Sequence, residues 1–302
     1  GLTALLKQTT SDSFATLEIE IDRASPHQVQ RVSLERRDRP ENVAAPERVG
    51  DLELAKLIAT KLDATPDFSG AVLITRNGRP VFSAARGFSD RALATMNTPN
   101  SRFRIGSLNK MLTAVAVLQL AQAGKIELDA PLGTYLPDYP NRDLATKASI
   151  RQLLTHTAGA GELFTPAFEA KRDALREISD LVAFYGDRPP EFEPGETFAY
   201  SDYGFILLGR IVEVVSGRRY DEYVAANILA PAGMRRTGAL PESVVVPGRT
   251  TDYVMIGDQH QATTDTLPYR GTSAGGGYST VGDLAAFAAA LMSAGTDQAV
   301  DI

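Results

Sequence analysis

Residues 103–124 read FRIGSLNKMLTAVAVLQLAQAG, and the rest of the chain is best understood outward from them. From Ser107 to Ala123 the spacing predicts a helix, apolar on nearly every face (Met111, Leu112, Val115, Val117, Leu118, Leu120), with Gly124 placed to end it. A helix of that kind belongs in the middle of a protein. Ser107 opens it and Lys110 follows at i+3, so the two side chains project from one face and an amine lies beside a hydroxyl. A serine hydroxyl is a poor nucleophile until something accepts its proton, and an amine can do so only if desolvation or neighbouring charge lowers its pKa. A buried helix offers that desolvation, and its N-terminus adds N–H groups and partial positive charge near a developing oxyanion. Taken alone, a Ser-x-x-Lys tetrapeptide is a helix cap followed by a solvent-facing lysine.

A second stretch changes that balance. Residues 193–213, EPGETFAYSDYGFILLGRIVE, use a Pro-Gly turn to deliver Tyr200, Ser201 and Asp202 into a loop just ahead of an apolar helix that runs from Tyr203 to Val215 and ends at Gly217. A phenol is thereby set on a loop. Alone, this would read as a tyrosine packed under the loop and a Ser-Asp helix cap.

Around these two stretches the pattern is that of a mixed α and β protein. Residues 13–22 and 29–37 alternate apolar with polar side chains, as half-buried strands do, about a turn containing Pro26. The stretch RDRPENVAAPERVGD (37–51) has the composition of a linker. The expected organisation is a small β-containing remnant of an accessory domain over 1–40, a linker over 41–50, and one larger domain over 51–302. That domain opens with a helix behind Asp51, followed by GAVLITRNGRPVFSAARG (70–87), two apolar runs joined at Asn77-Gly78, a strong hairpin signal. Further helices are expected behind Ser149 with Gln152, and behind Thr280 with Asp283.

The ordered segments together resemble the serine β-lactamase and penicillin-binding protein superfamily, most closely its class C-like branch of family VIII carboxylesterases and D-aminopeptidase-like serine hydrolases. FRIGSLNK (103–110) looks like the nucleophile segment of that branch, and LDAPLGTYLPDYP (128–140) and RQLLTHTAG (151–159) like its following helical region. FAYSDYGFILLGRIVE (198–213) looks like its tyrosine loop, and AGGGYSTVGDLAAFAAAL (274–291) like the helix entry before its last motif. These matches run in family order over about residues 69–292.

The resemblance implies an α+β fold, an antiparallel sheet flanked by helices beside an all-helical lobe, with the site in the cleft between them. It implies a serine hydrolase that forms an acyl-enzyme on an ester, amide or peptide substrate. Ser107 would attack the carbonyl, Lys110 and Tyr200 would share the proton transfers, and the Ser107 N–H would form half of the oxyanion hole. Asp202, Gly275 and Gly276 would lie on the substrate side. No catalytic histidine, cofactor or metal is implied. Relatives of this branch are mainly bacterial and often exported, which implies a periplasmic or secreted location.

Two departures from the family pattern stand out. Its tyrosine motif usually ends in Asn, whereas Asp202 stands here, and an ionised carboxylate only accepts hydrogen bonds. If it faces Lys110 it favours the ammonium and weakens the lysine as a base. The third family motif, a Lys-Thr-Gly or its His-x-Gly or Trp-x-Gly variants, is not found, and the chain is expected to stop before it and before the last strands of the sheet. Those departures keep a second reading open, a non-catalytic binding protein on the penicillin-recognising scaffold.

Other classes find less support. The 302 residues carry 31 Lys and Arg against 37 Asp and Glu, a net charge of −6, with no basic stripe for a nucleic acid. There is no cysteine, so neither a disulfide nor a thiolate metal site exists, and no apolar run is long enough to span a membrane. Gly271-Thr272-Ser273-Ala274-Gly275 matches a G-x-S-x-G nucleophile elbow, but the segment before it is polar and His27, His156 and His260 all precede it, so a Gly-rich loop is expected. His156 is expected to bond free carbonyls at a helix end, and Tyr220 and Tyr223 to lie on a solvated helix face. No pattern speaks to oligomeric state.

Overall fold

A computed structural model describes residues 2–7, 14–21, 29–38, 40–41, 49–263 and 268–293. The chain divides into two compact units, Gly1–Leu54 and Ala55–Ile302. In the first, strands β1 (Leu2–Lys7), β2 (Phe14–Ile21) and β3 (Val29–Arg37) form an antiparallel sheet in that order. Leu2 faces Ile19 and Phe14 faces Arg37. The alternation in 13–22 and 29–37 predicts β2 and β3. Strand β1 has no such signal, because LTALLK mixes apolar and polar residues without a period of two. The Pro26 turn and most of the expected linker lie outside the described residues.

Helix α1 (Asp51–Asp63), within which the division falls, carries Asp51 and Glu53 in its first turn. Strands β4 (Gly70–Arg76) and β5 (Arg79–Arg86) form the hairpin expected at Asn77-Gly78, and both turn residues have positive φ, 51° and 73°, as a type I′ turn requires. A short pair follows, β6 (Phe88–Asp90) with β7 (Thr95–Met96), and then β8 (Phe103–Arg104) leads into the helical part.

Helix α2 (Asn109–Gln122) follows a 3₁₀ turn over Gly106–Leu108, so Ser107 stands on the tighter turn just before the α-helix rather than inside it. The helix ends at Gly124, with φ of 68°. Its packing is one-sided. Leu112, Thr113, Ala116, Val117 and Leu120 are buried, whereas Met111 and Leu118 are exposed, so a helix expected in the middle of the protein leaves part of its apolar surface outside.

Four short helices come next: α3 (Arg142–Lys147), α4 (Ile150–Leu154), α5 (Pro166–Lys171) and α6 (Ile178–Tyr185). Ser149 and Gln152 make the predicted capping box at α4. Helix α7 (Asp202–Ser216) is the axis of the core: every residue from Tyr203 to Gly209 is buried, with Ile211 and Val212. It packs against α2, α4, α6 and α8 (Tyr220–Val224). Tyr220 and Tyr223 are buried there, and Tyr220 Oη lies 2.7 Å from Thr113 Oγ1, so the expected solvated face is an inner one. The flanking Asp221 and Glu222 take the outward positions and give the segment its polar look; Asp221 pairs with Arg219 and Arg270.

The last elements are a hairpin, β9 (Tyr253–Ile256) with β10 (Gln259–Ala262), then β11 (Tyr278–Ser279) and α9 (Val281–Ser293), which packs on β4. The Asp283 N–H bonds Thr280 Oγ1 at 3.1 Å, the predicted cap of α9. The architecture is α+β, helices with small antiparallel sheets. Among the described residues no helix is long and apolar enough to cross a membrane.

Pairing of β11 with β8 sets up the site. Tyr278 faces Arg104 and Ser279 faces Phe103, which carries the glycine-rich segment 271–277 alongside Gly106 and Ser107. Arg104 is almost fully buried and pairs with Glu242 at 2.6 Å and Asp252 at 3.1 Å, so the strand is braced from two later segments.

Candidate active site

Three of the residues singled out from sequence meet around one oxygen. Ser107 Oγ accepts hydrogen bonds from Tyr200 Oη at 2.8 Å and from Lys110 Nζ at 3.3 Å. The i+3 spacing brings Lys110 to Ser107 within one segment, whereas Tyr200 comes from the loop before α7, 93 residues later. Ser201 fixes that loop. Its Oγ accepts the Gly204 N–H at 2.9 Å as the N-cap of α7 and donates to Gly161 O at 2.6 Å.

Lys110 is 8% exposed, and a buried ammonium needs partners on all sides. It donates to Ala274 O at 2.8 Å, to Ser107 Oγ, and to the Asp202 carboxylate through a very short contact. Asp202 is itself 7% exposed and is the first residue of α7. The Lys110 charge also lies 4.7 Å from the centre of the Tyr200 ring and 5.5 Å from that of Phe205. The condition set by the sequence is thus met: Asp202 points at Lys110.

His156 sits at the end of α4 with φ of 58°, and its ring stacks on Tyr200 at 4.5 Å between centroids. Its Nδ1 accepts the Ser201 N–H at 3.0 Å, so it satisfies a free N–H rather than the carbonyls expected of it. Burial and then the Lys110 charge hold this imidazole below its usual pKa, and the neutral ring keeps the lone pair that bond needs.

The glycine-rich segment closes the other side. A Cβ on Gly275 would stand 3.3 Å from the backbone of Gly106, a spacing tighter than side chains normally take. Gly276 adopts φ of 87°, a conformation that favours glycine. The segment is held from α2: Asn109 Oδ1 accepts the Gly277 N–H at 3.0 Å, and Thr113 Oγ1 donates to Ser273 O at 2.6 Å. Ser273 is fully buried against Gly209, and its Oγ has no hydrogen-bond partner among the described residues. It faces the core, so a nucleophile elbow is excluded by position.

A cavity of about 260 Å³ opens beside Ser107, walled by Leu163, Phe164, Pro268, Ala274, Gly275 and Gly276. The apolar Leu163 and Phe164 carry no sequence signal for this role, because they stand in an irregular loop where no period reveals which side faces the cavity. Glu162, beside them, was likewise not legible. Its Oε1 accepts the N–H groups of Leu163 and Phe164 at 2.6 and 3.2 Å, and burial holds its carboxyl above the usual range.

The Beta-lactamase family pattern matches residues 54–301, well over half of the chain. The chain belongs to the Beta-lactamase family. Among its relatives, a putative penicillin-binding protein of Bacillus subtilis, PbpX, is 33% identical over 193 residues, covering 64% of this chain and 46% of that protein. Esterase EstB of Burkholderia gladioli is 31% identical over 218 residues, 64% of this chain and 55% of its own. Among solved structures, a penicillin-binding protein from Bacillus halodurans superposes with a TM-score of 0.70 at 34% identity, covering 78% of this chain and 74% of that one. The chain spans about half the length of the curated relatives it matches. In this member of the Beta-lactamase family, Lys110 and Tyr200 bond Ser107 Oγ, Asp202 pairs with Lys110, and Ser107, Asp202, Gly275 and Gly276 line one cavity.

Proposed function

We propose that the protein is a serine hydrolase that forms an acyl-enzyme on Ser107 from a small ester, amide or peptide. The convergence of Tyr200 Oη and Lys110 Nζ on Ser107 Oγ carries this reading. Ser107 Oγ attacks the substrate carbonyl carbon while its proton passes to Lys110 in the amine form. The developing oxyanion is stabilised by the Ser107 N–H at the start of the helix. Collapse of the tetrahedral intermediate expels the alcohol or amine, which takes a proton relayed from the Lys110 ammonium through Tyr200. Water then attacks the acyl carbon and gives a proton to the same pair, the bond from the acyl carbon to Ser107 Oγ breaks, the pair returns the proton to Oγ, and the acid leaves.

The cavity walls combine apolar Leu163, Phe164 and Pro268 with the charged Arg104, Asp202 and Asp252, so both apolar and polar parts of a substrate find partners there. The names of related proteins include both an esterase and penicillin-binding proteins, and esters stand ahead of β-lactams in this proposal.

One observation favours a second reading. Lys110 is ion-paired with Asp202, and a lysine engaged as an ammonium cannot take a proton, as a non-catalytic binding protein would tolerate. Hydrolysis of short p-nitrophenyl esters, a β-lactam and a D-amino-acid amide, with Ser107→Ala as control, separates the two. Turnover of at least one substrate that vanishes in Ser107→Ala is expected; turnover that survives the substitution contradicts the proposal.

A further inference from the structure

The cavity beside Ser107 has three charged side chains on its walls, Arg104, Asp202 and Asp252, and they are not equally open to a ligand. Asp202 is buried and engaged with Lys110. The Arg104 side chain is 7% exposed and is drawn to Glu242 at 2.6 Å. Asp252 differs from both. Its side chain is 35% exposed, and among the described residues its carboxylate oxygens accept no hydrogen bond. The ion-pair contact it makes there is with Arg104 Nε at 3.1 Å, and that nitrogen is itself without a hydrogen-bond partner, so the two meet through charge alone. Arg249 approaches Glu242, at 3.6 Å.

We propose that Asp252 is the subsite for a positively charged amine in the acyl part of the substrate, an inference that rests on the hydrolase reading above. Asp252 and Ser107 wall the same cavity, and the acyl part alone stays on Ser107 Oγ through both chemical steps. An ionised carboxylate only accepts hydrogen bonds, so an ammonium supplies the donors that the Asp252 oxygens lack, in the stronger charge-assisted form. A substrate carboxylate meets no comparable partner on these walls. Arg104 already serves two carboxylates, and the Lys110 charge is covered by Asp202.

The backbone holds this carboxylate in place before any substrate arrives. The Thr250 N–H bonds Arg102 O at 3.0 Å, the Thr251 N–H bonds Ser89 O at 2.9 Å, and the Asp252 carbonyl accepts the Thr263 N–H at 3.0 Å. A recognition group fixed in this way loses little freedom on binding. Burial raises the Asp252 carboxyl above its usual range; Arg104 opposes the rise and Glu242 adds to it. Its negative charge is therefore only partly compensated in the free protein, and a bound ammonium relieves that.

The test pairs alanine p-nitroanilide, as both enantiomers, with 2-methylpropanoyl p-nitroanilide, an isostere that carries a methyl group in place of the ammonium. The full chain is assayed at about pH 7, where an α-ammonium is largely charged. The better alanine enantiomer is expected to exceed the isostere in kcat/KM by about tenfold or more, and Asp252→Asn is expected to lower that ratio by a similar factor. Because the readout is a ratio, a general disturbance of the site by the substitution cancels. Equal kcat/KM values in the wild type overturn the proposal whether or not the variant folds, as does a ratio that persists in folded Asp252→Asn. Calorimetry on Ser107→Ala supplies a readout without turnover: alaninamide is expected to bind about tenfold or more tightly than 2-methylpropanamide, and the difference to vanish when Asp252→Asn is added. No difference between the two amides overturns the proposal. That difference present, with no Ser107-dependent turnover of either anilide, counts against the hydrolase reading instead.

Discussion

Lys110 Nζ is held between the Asp202 carboxylate, the Ala274 carbonyl and Ser107 Oγ, so a single buried charge ties the start of α7 and the glycine-rich segment to the serine. Asp202→Asn keeps an oxygen for Lys110 to donate to but removes the opposing charge. The buried ammonium is left without its counter-ion, and a loss of about 3 kcal/mol in denaturant unfolding is expected. Unchanged stability shows that the ion pair does not hold α7 to the serine segment.

A Cβ on Gly275 would stand 3.3 Å from the Gly106 backbone, close enough that the neighbour must give by a few tenths of an ångström. Gly275→Val must push apart the two segments that frame Ser107, and displacement of the nucleophile by even part of an ångström is costly to rate. A fall in kcat/KM of about tenfold or more is expected, with a melting temperature close to that of the wild type, measured side by side.

Ser273 and Gly209 make a contact that no larger pair would fit. A Cβ on Gly209 would overlap the Ser273 side chain and approach Ile178 Cδ1 to 2.9 Å. Gly209→Ala is expected to cost about 1–3 kcal/mol in denaturant unfolding, as overpacking does. Ser273→Ala, which removes a buried hydroxyl without a partner, is expected to leave stability and turnover nearly unchanged. Loss of turnover in Ser273→Ala would restore the elbow reading.

His156 gives the fold a pH dependence of known sign. Its pKa in the folded protein lies below the ordinary 6.5, so as pH falls the unfolded chain takes up the proton first. The stabilisation is complete above about pH 6.5 and is lost as pH falls through that value toward the folded pKa. The melting-temperature advantage of the wild type over His156→Asn is therefore expected to shrink between about pH 7.5 and 5.5. A gap that widens on acidification has the wrong sign.

How far the sequence reveals this protein depends on the range of each interaction. Local signals were legible: the Asn77-Gly78 turn, the Ser149–Gln152 box, the Thr280 cap and the Ser107–Lys110 pair all arise within a few residues of chain. Order along the chain placed Tyr200 near Ser107, because the segments matched a known family arrangement. Contacts carried by irregular backbone were hidden. Ala274 meets Lys110 through a carbonyl that every residue type possesses, and Ser201 bonds the Gly161 carbonyl across 40 residues in a loop with no period. Tyr220 was misjudged because its charged neighbours describe the outside of α8, whereas its own hydroxyl is matched by Thr113 on α2, 107 residues away.

The central claim is that Ser107 is the nucleophile, and covalent labelling tests it most directly. Treatment of the full chain with a fluorophosphonate, followed by intact mass and peptide mapping, is predicted to give one adduct per chain on the peptide containing Ser107, absent from Ser107→Ala. A protein that takes no label, or one that is labelled equally after Ser107→Ala, contradicts the account.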